Sequence, residues 1–246
     1  MLECNAAEAV HRVEDARTNW YLVEEAGRLM VVDTGHPASW RSLKRALAKL
    51  GHALGDIEAV VLTHGHFDHM GFAGRAQSEL HVDVWAPAAE GAVHHPWRYP
   101  HEDSRVPYLR HPYFARALLE MTVYGALGAH GIDTVKTYAD GDTLPLPGRP
   151  RAIATPGHSV AHCSLALEDR GVLLAGDAFV TVDPYTGGQG PRLVAGAATA
   201  DRAEALSSVD RLGELSAATA LTGHGPPWRG TLQEAAARVR HAAFAG

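Results

Sequence analysis

The chain has 246 residues, 46% hydrophobic and 20% charged, proportions typical of a folded globular protein. Its 22 lysines and arginines against 28 aspartates and glutamates give a net charge of -6, and there is no long basic run, so nucleic acid is not an expected partner. The apolar stretches are strand-sized, far below the ~20 residues of a membrane span, so no membrane partner is expected. The acidic start, with Glu3 and Glu8, does not resemble a secretory signal. We therefore predict a cytoplasmic protein with one domain over residues 1–246.

The cysteine count argues against a disulfide framework, and the histidine count raises the question of metal binding. Only Cys4 and Cys163 are present, so a disulfide framework does not hold the fold together. The count of 16 histidines is high, and imidazole is the commonest protein metal ligand. Whether these histidines converge depends on where they fall among the predicted elements.

Strands and helices alternate along the chain. The predicted strands cover residues 19–25, 28–33, 57–63, 82–86, 150–155, 162–167, 172–177 and 218–221. Helices are predicted after Ser39, from about Asp201, and from a capping box at Thr231 and Glu234 to about Phe244, with one or two further helical turns over 68–75. This mixture favours a layered α/β protein in which helices cover the faces of sheets.

Residues 91–135 break the pattern and are rich in aromatic side chains. We predict that they form an inserted helical lid, and that residues 181–193, with three glycines, form a mobile wall of the pocket. The predicted substrate-pocket residues are Trp97, Tyr99, Tyr113, Phe114 and Tyr185. The interleaved arginines suited to an anionic end of the substrate are Arg98, Arg105, Arg110 and Arg116. The alternative is that this segment is a surface layer or a dimer contact; the oligomeric state is not predicted.

Seven potential metal ligands follow predicted strands. Four of them, His64, His66, Asp68 and His69, lie within the sequence HGHFDH, directly after the strand that ends at Thr63. A tight turn can aim alternating side chains at one point, and zinc and similar ions prefer such nitrogen and oxygen donors. The other three each end a strand in a glycine-containing turn: His158 in TPGH, Asp177 in LAGD and His224 in LTGH. Brought to one sheet edge, seven donors suffice for two ions.

The order of these motifs, HGHFDH, then PGH, GD and GH, resembles that of the metallo-β-lactamase superfamily of metallohydrolases. The resemblance spans Asp33 to His224 and implies a four-layer αββα sandwich with a binuclear site on the edge between its sheets. It implies that one ion is held by His64, His66 and His158, the other by Asp68, His69 and His224, and that Asp177 bridges them. Asp33, in VVDTG, matches an early aspartate that supports the metal loop; the alternative is an ordinary turn residue.

The resemblance also implies the chemistry. The expected cofactors are two Zn²⁺ ions, with Mn, Fe or Co admissible because the donor set contains no thiolate. We expect a metal-bridging hydroxide to attack an acyl carbon, with Asp68 as the catalytic residue that orients it or relays its proton. The expected reaction is hydrolysis of an ester, thioester or lactone of a small apolar or aromatic molecule.

Departures from the family pattern indicate which branch of the superfamily the chain resembles. Asp177 stands where the commonest true metallo-β-lactamases have a cysteine, which favours a glyoxalase II-like or lactonase-like enzyme. About 22 residues follow His224, room for one helix where glyoxalase II has a helical region. Val180 stands where lactonases often have a tyrosine, so Tyr185 or a lid tyrosine would have to substitute.

Three alternatives stay open. A persulfide dioxygenase-like oxidoreductase with one iron shares the HxHxDH string, and metal analysis with an oxygen-consumption assay would distinguish it. A β-lactamase and a non-catalytic metal-binding protein are less favoured, the latter because no donor is missing.

Overall fold

Residues 2–138 contribute a seven-stranded sheet in the computed structural model, which describes residues 1–244. Its strands lie in chain order: β1 (Leu2–Ala7), β2 (Val10–Asp15), β3 (Thr18–Glu25), β4 (Arg28–Val32), β5 (Ile57–Val61), β6 (Asp83–Pro87) and β7 (Lys136–Tyr138). The first four strands are antiparallel, and β4 to β7 are parallel. The predicted hairpin of β3 and β4 turns at Ala26 and Gly27, both at positive φ. The sequence did not predict β1, β2 or β7.

The second sheet has five strands in the order β14-β13-β10-β9-β8. They are β8 (Arg151–Ala154), β9 (Cys163–Leu167), β10 (Val172–Gly176), β13 (Thr219–Thr222) and β14 (Trp228–Arg229). Because β9 is antiparallel to both β8 and β10, and β13 is parallel to β10, the strands β8, β10 and β13 all point the same way. The predicted wall at 181–193 contains paired strands, β11 (Val180–Val182) and β12 (Gln189–Arg192), which form a two-stranded ribbon.

Helices cover both outer faces. On the first sheet lie α1 (Ser39–Leu50) and α2 (Ala73–Leu80), and on the second lie α4 (Arg202–Leu212) and α5 (Leu232–Phe244). Between the sheets, Val23 and Met30 of the first pack with Leu165 and Leu174 of the second. These layers confirm the predicted αββα sandwich.

One helical prediction was wrong in position. The turns expected over residues 68–75 do not begin until Ala73, where α2 starts. The preceding loop makes backbone hydrogen bonds to a neighbouring loop: Thr34 donates to the His69 carbonyl at 2.6 Å, and Gly71 donates to the Gly35 carbonyl at 2.8 Å. The loop after β5 therefore runs alongside the loop after β4 and is hydrogen-bonded to it.

The segment 91–135 contains α3 (Pro112–Val123) and three short 3-10 turns, at Gly91–Val93, Val106–Arg110 and Ala126–Gly128. Its exposed apolar side chains include Val106, Leu109, Leu118, Leu119, Val123 and Leu127. Its role as an inserted lid stays a prediction. Within residues 1–244, no helix has the length and apolar character needed to cross a bilayer.

Candidate metal centre

The seven predicted donors meet at one edge of the sandwich. Asp33 follows β4 and the HGHFDH loop follows β5, and these strands are parallel, so both loops leave the first sheet at the same end. The three donors of the second sheet follow β8, β10 and β13, which also share a direction: His158, Asp177 and His224. All seven donors are buried.

Asp177 lies at the middle of the cluster. Its Oδ2 is 3.2 Å from His224 Nε2, 3.4 Å from His158 Nε2 and 3.6 Å from His69 Nε2. On one side of it, His66 Nδ1 and His158 Nε2 are 3.0 Å apart, and on the other Asp68 Oδ2 is 3.6 Å from His224 Nε2. Donors that share one tetrahedral zinc at ~2.0–2.1 Å lie roughly 3.3 Å apart, so these separations suit ligands around common ions.

The donors divide into two principal groups. In each, three ligand atoms lie within 4.8 Å of one another: His64, His66 and His158 in the first, and Asp68, His69 and His224 in the second. This is the division that the resemblance implies. A third group with the same spacing contains Asp33, His64 and His69. Buried histidine and aspartate clusters of this kind are consistent with a dinuclear metal site.

Several cluster atoms have no hydrogen-bond partner within residues 1–244. They are His64 Nε2, His66 Nε2, His69 Nε2, His158 Nδ1 and Asp177 Oδ1. An unsatisfied buried polar group costs about 1–3 kcal/mol, so a set of them in one place is unusual. In His66 and His158 the other ring nitrogen faces the neighbouring donor, at 3.0 Å. Coordination of divalent ions would satisfy His64 Nε2, His69 Nε2 and the Asp177 carboxylate, so the residues present fit such ions.

Hydrogen bonds on the far side of three rings turn their Nε2 atoms toward the cluster. Nδ1 of His69 lies 3.0 Å from Asp33 Oδ2, Nδ1 of His64 lies 3.0 Å from Thr63 Oγ1, and Nδ1 of His224 lies 2.8 Å from the Arg17 carbonyl. Acceptors in these positions fix the Nδ1–H tautomer and leave Nε2 as the lone-pair donor. Both Asp33 oxygens are also hydrogen-bonded by Thr63, at 2.8 to 3.2 Å. These contacts favour a supporting role for Asp33 over a ligating one.

Two glycines allow this close approach. Gly176, directly before Asp177, has φ +52, and a Cβ on it would lie 2.6 Å from His162 Nε2. A Cβ on Gly223, directly before His224, would lie 2.0 Å from Asp177 Oδ1. A side chain at either position would displace the cluster.

The two sides of the cluster differ in charge. Burial, followed by the neighbouring histidines, lowers the pKa of His64 and of His66 well below the usual range. Burial alone would also lower the pKa of His69, but Asp177 and Asp68 raise it well above 6.5. Burial opposes ionisation of Asp177, yet His224 and His69 hold its pKa well below 3.8. One side is thus built from neutral imidazoles and the other from carboxylates and their partners.

His162 is a buried residue that the sequence analysis did not select. Its Nε2 accepts a hydrogen bond from the Asp177 backbone N–H at 3.0 Å, and its Nδ1 lies 2.8 Å from Thr155 Oγ1. Burial lowers its pKa to about 3, so the ring is neutral and can accept. It lies directly before β9, which runs antiparallel to β8 and β10, so the start of β9 lies at the same edge as the ends of those two strands. The sequence does not indicate this strand direction.

Asp68 also has partners that the sequence did not indicate. Thr18 Oγ1 donates to Asp68 Oδ2 at 3.3 Å, and His36 Nε2 lies 3.5 Å from the same hydroxyl. All three side chains are buried. Thr18 therefore helps to set the direction of the Asp68 carboxylate.

A latch, formed by Asn19 and Tyr21 of β3 against residues 222–225, fixes the His224 loop. The Asn19 side chain donates to the carbonyls of Thr222 and Gly225 at 2.8 and 2.7 Å, and the Tyr21 hydroxyl donates to Thr222 at 2.6 Å. The Asn19 backbone N–H adds a bond to Gly223 at 2.7 Å. The first sheet thus holds a donor loop of the second.

A cavity of about 210 Å³ opens directly above the cluster, with Asp68, Asp177 and His224 in its wall. Four of the five predicted pocket residues line it: Trp97, Tyr99, Phe114 and Tyr185. Tyr99 stacks on His66 at 3.7 Å between ring centroids, and Phe114 stacks on Tyr185 at 4.7 Å. Tyr113 does not line this cavity. One step along α3 from Phe114, it faces a neighbouring polar cleft, where its ring lies 4.1 Å from the Arg17 guanidinium.

Comparison with known proteins agrees with this geometry. A family model for the metallo-beta-lactamase superfamily matches residues 13–224. "Probable metallo-hydrolase YflN" of Bacillus subtilis (strain 168) is 29% identical over 243 residues, covering 92% of this chain and 87% of that protein. Human "metallo-beta-lactamase domain-containing protein 1" is 51% identical over 53 residues, covering 21% of this chain and 20% of that protein.

Solved structures give the same fold. The crystal structure of a metallo-beta-lactamase family protein from Thermus thermophilus has a TM-score of 0.67 and 28% identity, covering 93% of this chain and 75% of that one. BJP-1, a subclass B3 metallo-beta-lactamase of Bradyrhizobium japonicum, has a TM-score of 0.66 and 17% identity, covering 97% of this chain and 90% of that one. At this identity the similarity shows the fold alone.

The fold and the buried cluster are those of an αββα metallo-hydrolase. The chain belongs to the metallo-beta-lactamase superfamily.

Proposed function

We propose that this protein is a binuclear metal-dependent hydrolase that cleaves an ester, thioester or lactone of a small apolar molecule, as a glyoxalase II-like or lactonase-like member of its superfamily. The observation that carries the proposal is the set of unpartnered ligand atoms at the base of an apolar cavity. Two divalent ions there would polarise a carbonyl oxygen and lower the pKa of a water that attacks the acyl carbon.

The proposed ligands follow the two groups of donors. His64, His66 and His158 would hold one ion and Asp68, His69 and His224 the other. Asp177, which contacts both His158 and His224, would lie between them. We propose zinc for both ions because the donors are imidazoles and carboxylates, which also suit Mn, Fe or Co.

Asp68 is the proposed catalytic residue. It lies in the wall of the cavity and its Oδ2 is oriented by Thr18, so its carboxylate is placed to accept a proton from the attacking water and to return it to the leaving group. The stacked aromatic rings of the cavity would hold the apolar part of the substrate.

The test of this proposal begins with elemental analysis of the purified protein. Metal-quantified protein is then assayed with ester, thioester, lactone, β-lactam and phosphodiester substrates. We expect about two metal ions per chain and turnover confined to the acyl compounds. One iron per chain, with oxygen consumption on a persulfide, would instead establish the oxidoreductase alternative. The predicted cytoplasmic location is checked separately by cell fractionation.

Asp68→Asn tests the proposed residue role. We expect kcat to fall by about 10²- to 10⁴-fold, because the amide cannot take the proton, while the ion held by the three histidines is retained. Asp133→Asn is the matched control, since Asp133 is exposed. Full activity of Asp68→Asn with a full metal complement would refute the assignment.

A further inference from the structure

The cavity above the cluster contains a single arginine. Its walls are mostly aromatic and aliphatic, and Arg105 is the cationic side chain among its lining residues. A cavity of about 150 Å³ is enough for benzene, so the space of about 210 Å³ accommodates an aromatic ring with a short substituent.

Arg105 packs on an aromatic ring that also contacts the donor cluster. Its guanidinium lies 4.8 Å from the centre of the Tyr99 ring, and the same ring stacks on His66, with 3.7 Å between the ring centroids. The Arg105 Nε donates to the Ala197 carbonyl at 3.2 Å, which fixes the plane of the guanidinium. Arg105 is therefore held one aromatic ring away from a proposed metal ligand.

The terminal N–H groups of Arg105 are free to bind a ligand. Its two terminal nitrogens make no hydrogen bond and no ion pair within residues 1–244. Other arginines near the site are paired: Arg17 donates to Glu120 at 2.7 Å, and Arg12 donates to Glu3 at 2.8 Å. Asp103, the acidic residue nearest to Arg105 in sequence, instead pairs with Arg202 at 3.6 Å. A half-buried arginine with free terminal N–H groups is suited to bind a planar anion in a bidentate manner.

We infer that this site selects an apolar acyl substrate that carries one carboxylate, and that Arg105 binds this carboxylate. The inference rests on the proposed function and adds the substrate's charge to it. A carboxylate matches the guanidinium in geometry, and Arg105 is the one arginine or lysine of the cavity wall, so away from the cluster a single negative charge suits it better than a doubly charged phosphate. Of the four arginines that the sequence singled out, only Arg105 lines the cavity, since Arg116 pairs with Glu120 and the other two are exposed.

The first experiment measures binding without turnover. Calorimetry on the metal-loaded protein compares 4-(carbamoylmethyl)benzoate with 4-(carbamoylmethyl)benzamide, which differ only in the carboxylate. We expect the benzoate to bind about 10- to 100-fold more tightly to the wild type, the range for one charge-assisted contact. Arg105→Gln should reduce the difference to about twofold or less, and Arg105→Lys should retain part of it.

Arg41→Gln is the matched control, because Arg41 is an exposed arginine on α1, away from the cavity. It should keep the full preference. Melting temperature and metal content of each variant show that the fold and the cluster are intact. If Arg105→Gln retains the wild-type preference, the carboxylate binds elsewhere, for example to the metal ions, and the inference is wrong. It is equally wrong if the wild type shows no preference or binds neither compound.

A second arm uses the 4-nitrophenyl esters of 4-carboxyphenylacetic and 4-carbamoylphenylacetic acids. We expect a higher kcat/KM for the carboxylate ester than for the carbamoyl ester, mainly because its KM is lower. Arg105→Gln should abolish this difference. Binding selectivity without hydrolysis of any acyl substrate would contradict the proposed hydrolase and leave the carboxylate site standing. Hydrolysis of both esters without selectivity would contradict only the carboxylate site.

Discussion

At the scale of single residues, His162 shows how a neutral, non-ligating side chain can position a central carboxylate. It accepts the backbone N–H of Asp177 and is itself held by Thr155. Because Asp177 lies within 3.6 Å of three histidine nitrogens, a small shift of its backbone changes several donor separations together. We therefore assign His162 a positioning role.

Replacing His162 by leucine tests this role. The Asp177 N–H would lose its acceptor while staying buried, so we expect unfolding free energy to fall by about 1–3 kcal/mol and metal affinity to fall by about 10- to 100-fold. Urea unfolding and competition with a chromophoric chelator measure the two effects. His162→Gln, whose carbonyl can accept the same bond, should restore part of the affinity, and His130→Leu, at an exposed site, is the control. Unchanged affinity in His162→Leu would contradict the role.

Sequence patterns predicted the seven candidate donors that the structure brings together, but not the residues that orient them. HGHFDH and the three glycine turns are local features, readable from spacing alone. The contacts of Thr18 with Asp68 and of His162 with Asp177 join separate parts of the chain, and no local pattern indicates them. Tyr113 and Phe114 illustrate the same limit, because the direction of a side chain on α3 depends on how that helix packs.

At the scale of elements, α4 holds the loop that carries His158. The Asp201 N–H donates to the Gly157 carbonyl at 2.8 Å, and Ser208 Oγ donates to the Pro156 carbonyl at 2.7 Å. Gly157 has φ +123, and a Cβ there would lie 2.1 Å from the backbone nitrogen of Ala205. The backbone of α4 and the backbone of the His158 loop are therefore in direct contact, with no room for a side chain at Gly157.

Gly157→Ala should force this loop away from α4. We expect the free energy of unfolding to fall by roughly 2 kcal/mol or more, from backbone strain and the clash, with loss of the ion on the His158 side. Gly55→Ala is the matched control, since a Cβ there meets nothing within 4 Å. Denaturant unfolding and metal analysis provide the readouts, and a Gly157→Ala protein with both stability and metal intact would refute the expected coupling.

Elements with strong periodicity or caps were predictable. The capping box of Thr231 and Glu234 is present, with Glu234 N–H donating to Thr231 Oγ1 at 3.1 Å, and α5 follows it as predicted. The edge strand β1 was not predictable, since most of its side chains are not fully buried and no clean alternation results. The residues before α2 are not helical because part of their backbone hydrogen bonding goes to the loop after β4, which composition does not reveal.

At the scale of the whole molecule, buried neutral histidines tie stability to pH. His36 is fully buried, and burial lowers its pKa to about 4, against 6.5 for an accessible histidine. The unfolded chain therefore takes up a proton first as the pH falls. The stability that the neutral ring contributes is complete above pH 6.5 and is lost as the pH falls from there toward 4.

Between about pH 7.5 and 5, this residue should account for about 2 kcal/mol of the loss in unfolding free energy. His36→Gln removes the titration, so its stability should fall less steeply with pH than that of the wild type. Urea unfolding across that range, in excess chelator so that ligand histidines are free of metal, makes the comparison. His130→Gln, exposed, should follow the wild type, whereas parallel curves for wild type and His36→Gln would contradict the prediction.

The latch between β3 and the His224 loop has a consequence for biosynthesis. A ribosome makes Asn19 and Tyr21 first, HGHFDH next, and His224 only some 200 residues after Asn19. A nascent chain therefore presents a partial chelate long before the second sheet can dock against the first. Since contacts of such sequence separation close slowly, the complete donor cluster forms at a late step of folding, and full metal loading would mark a chain that has finished folding.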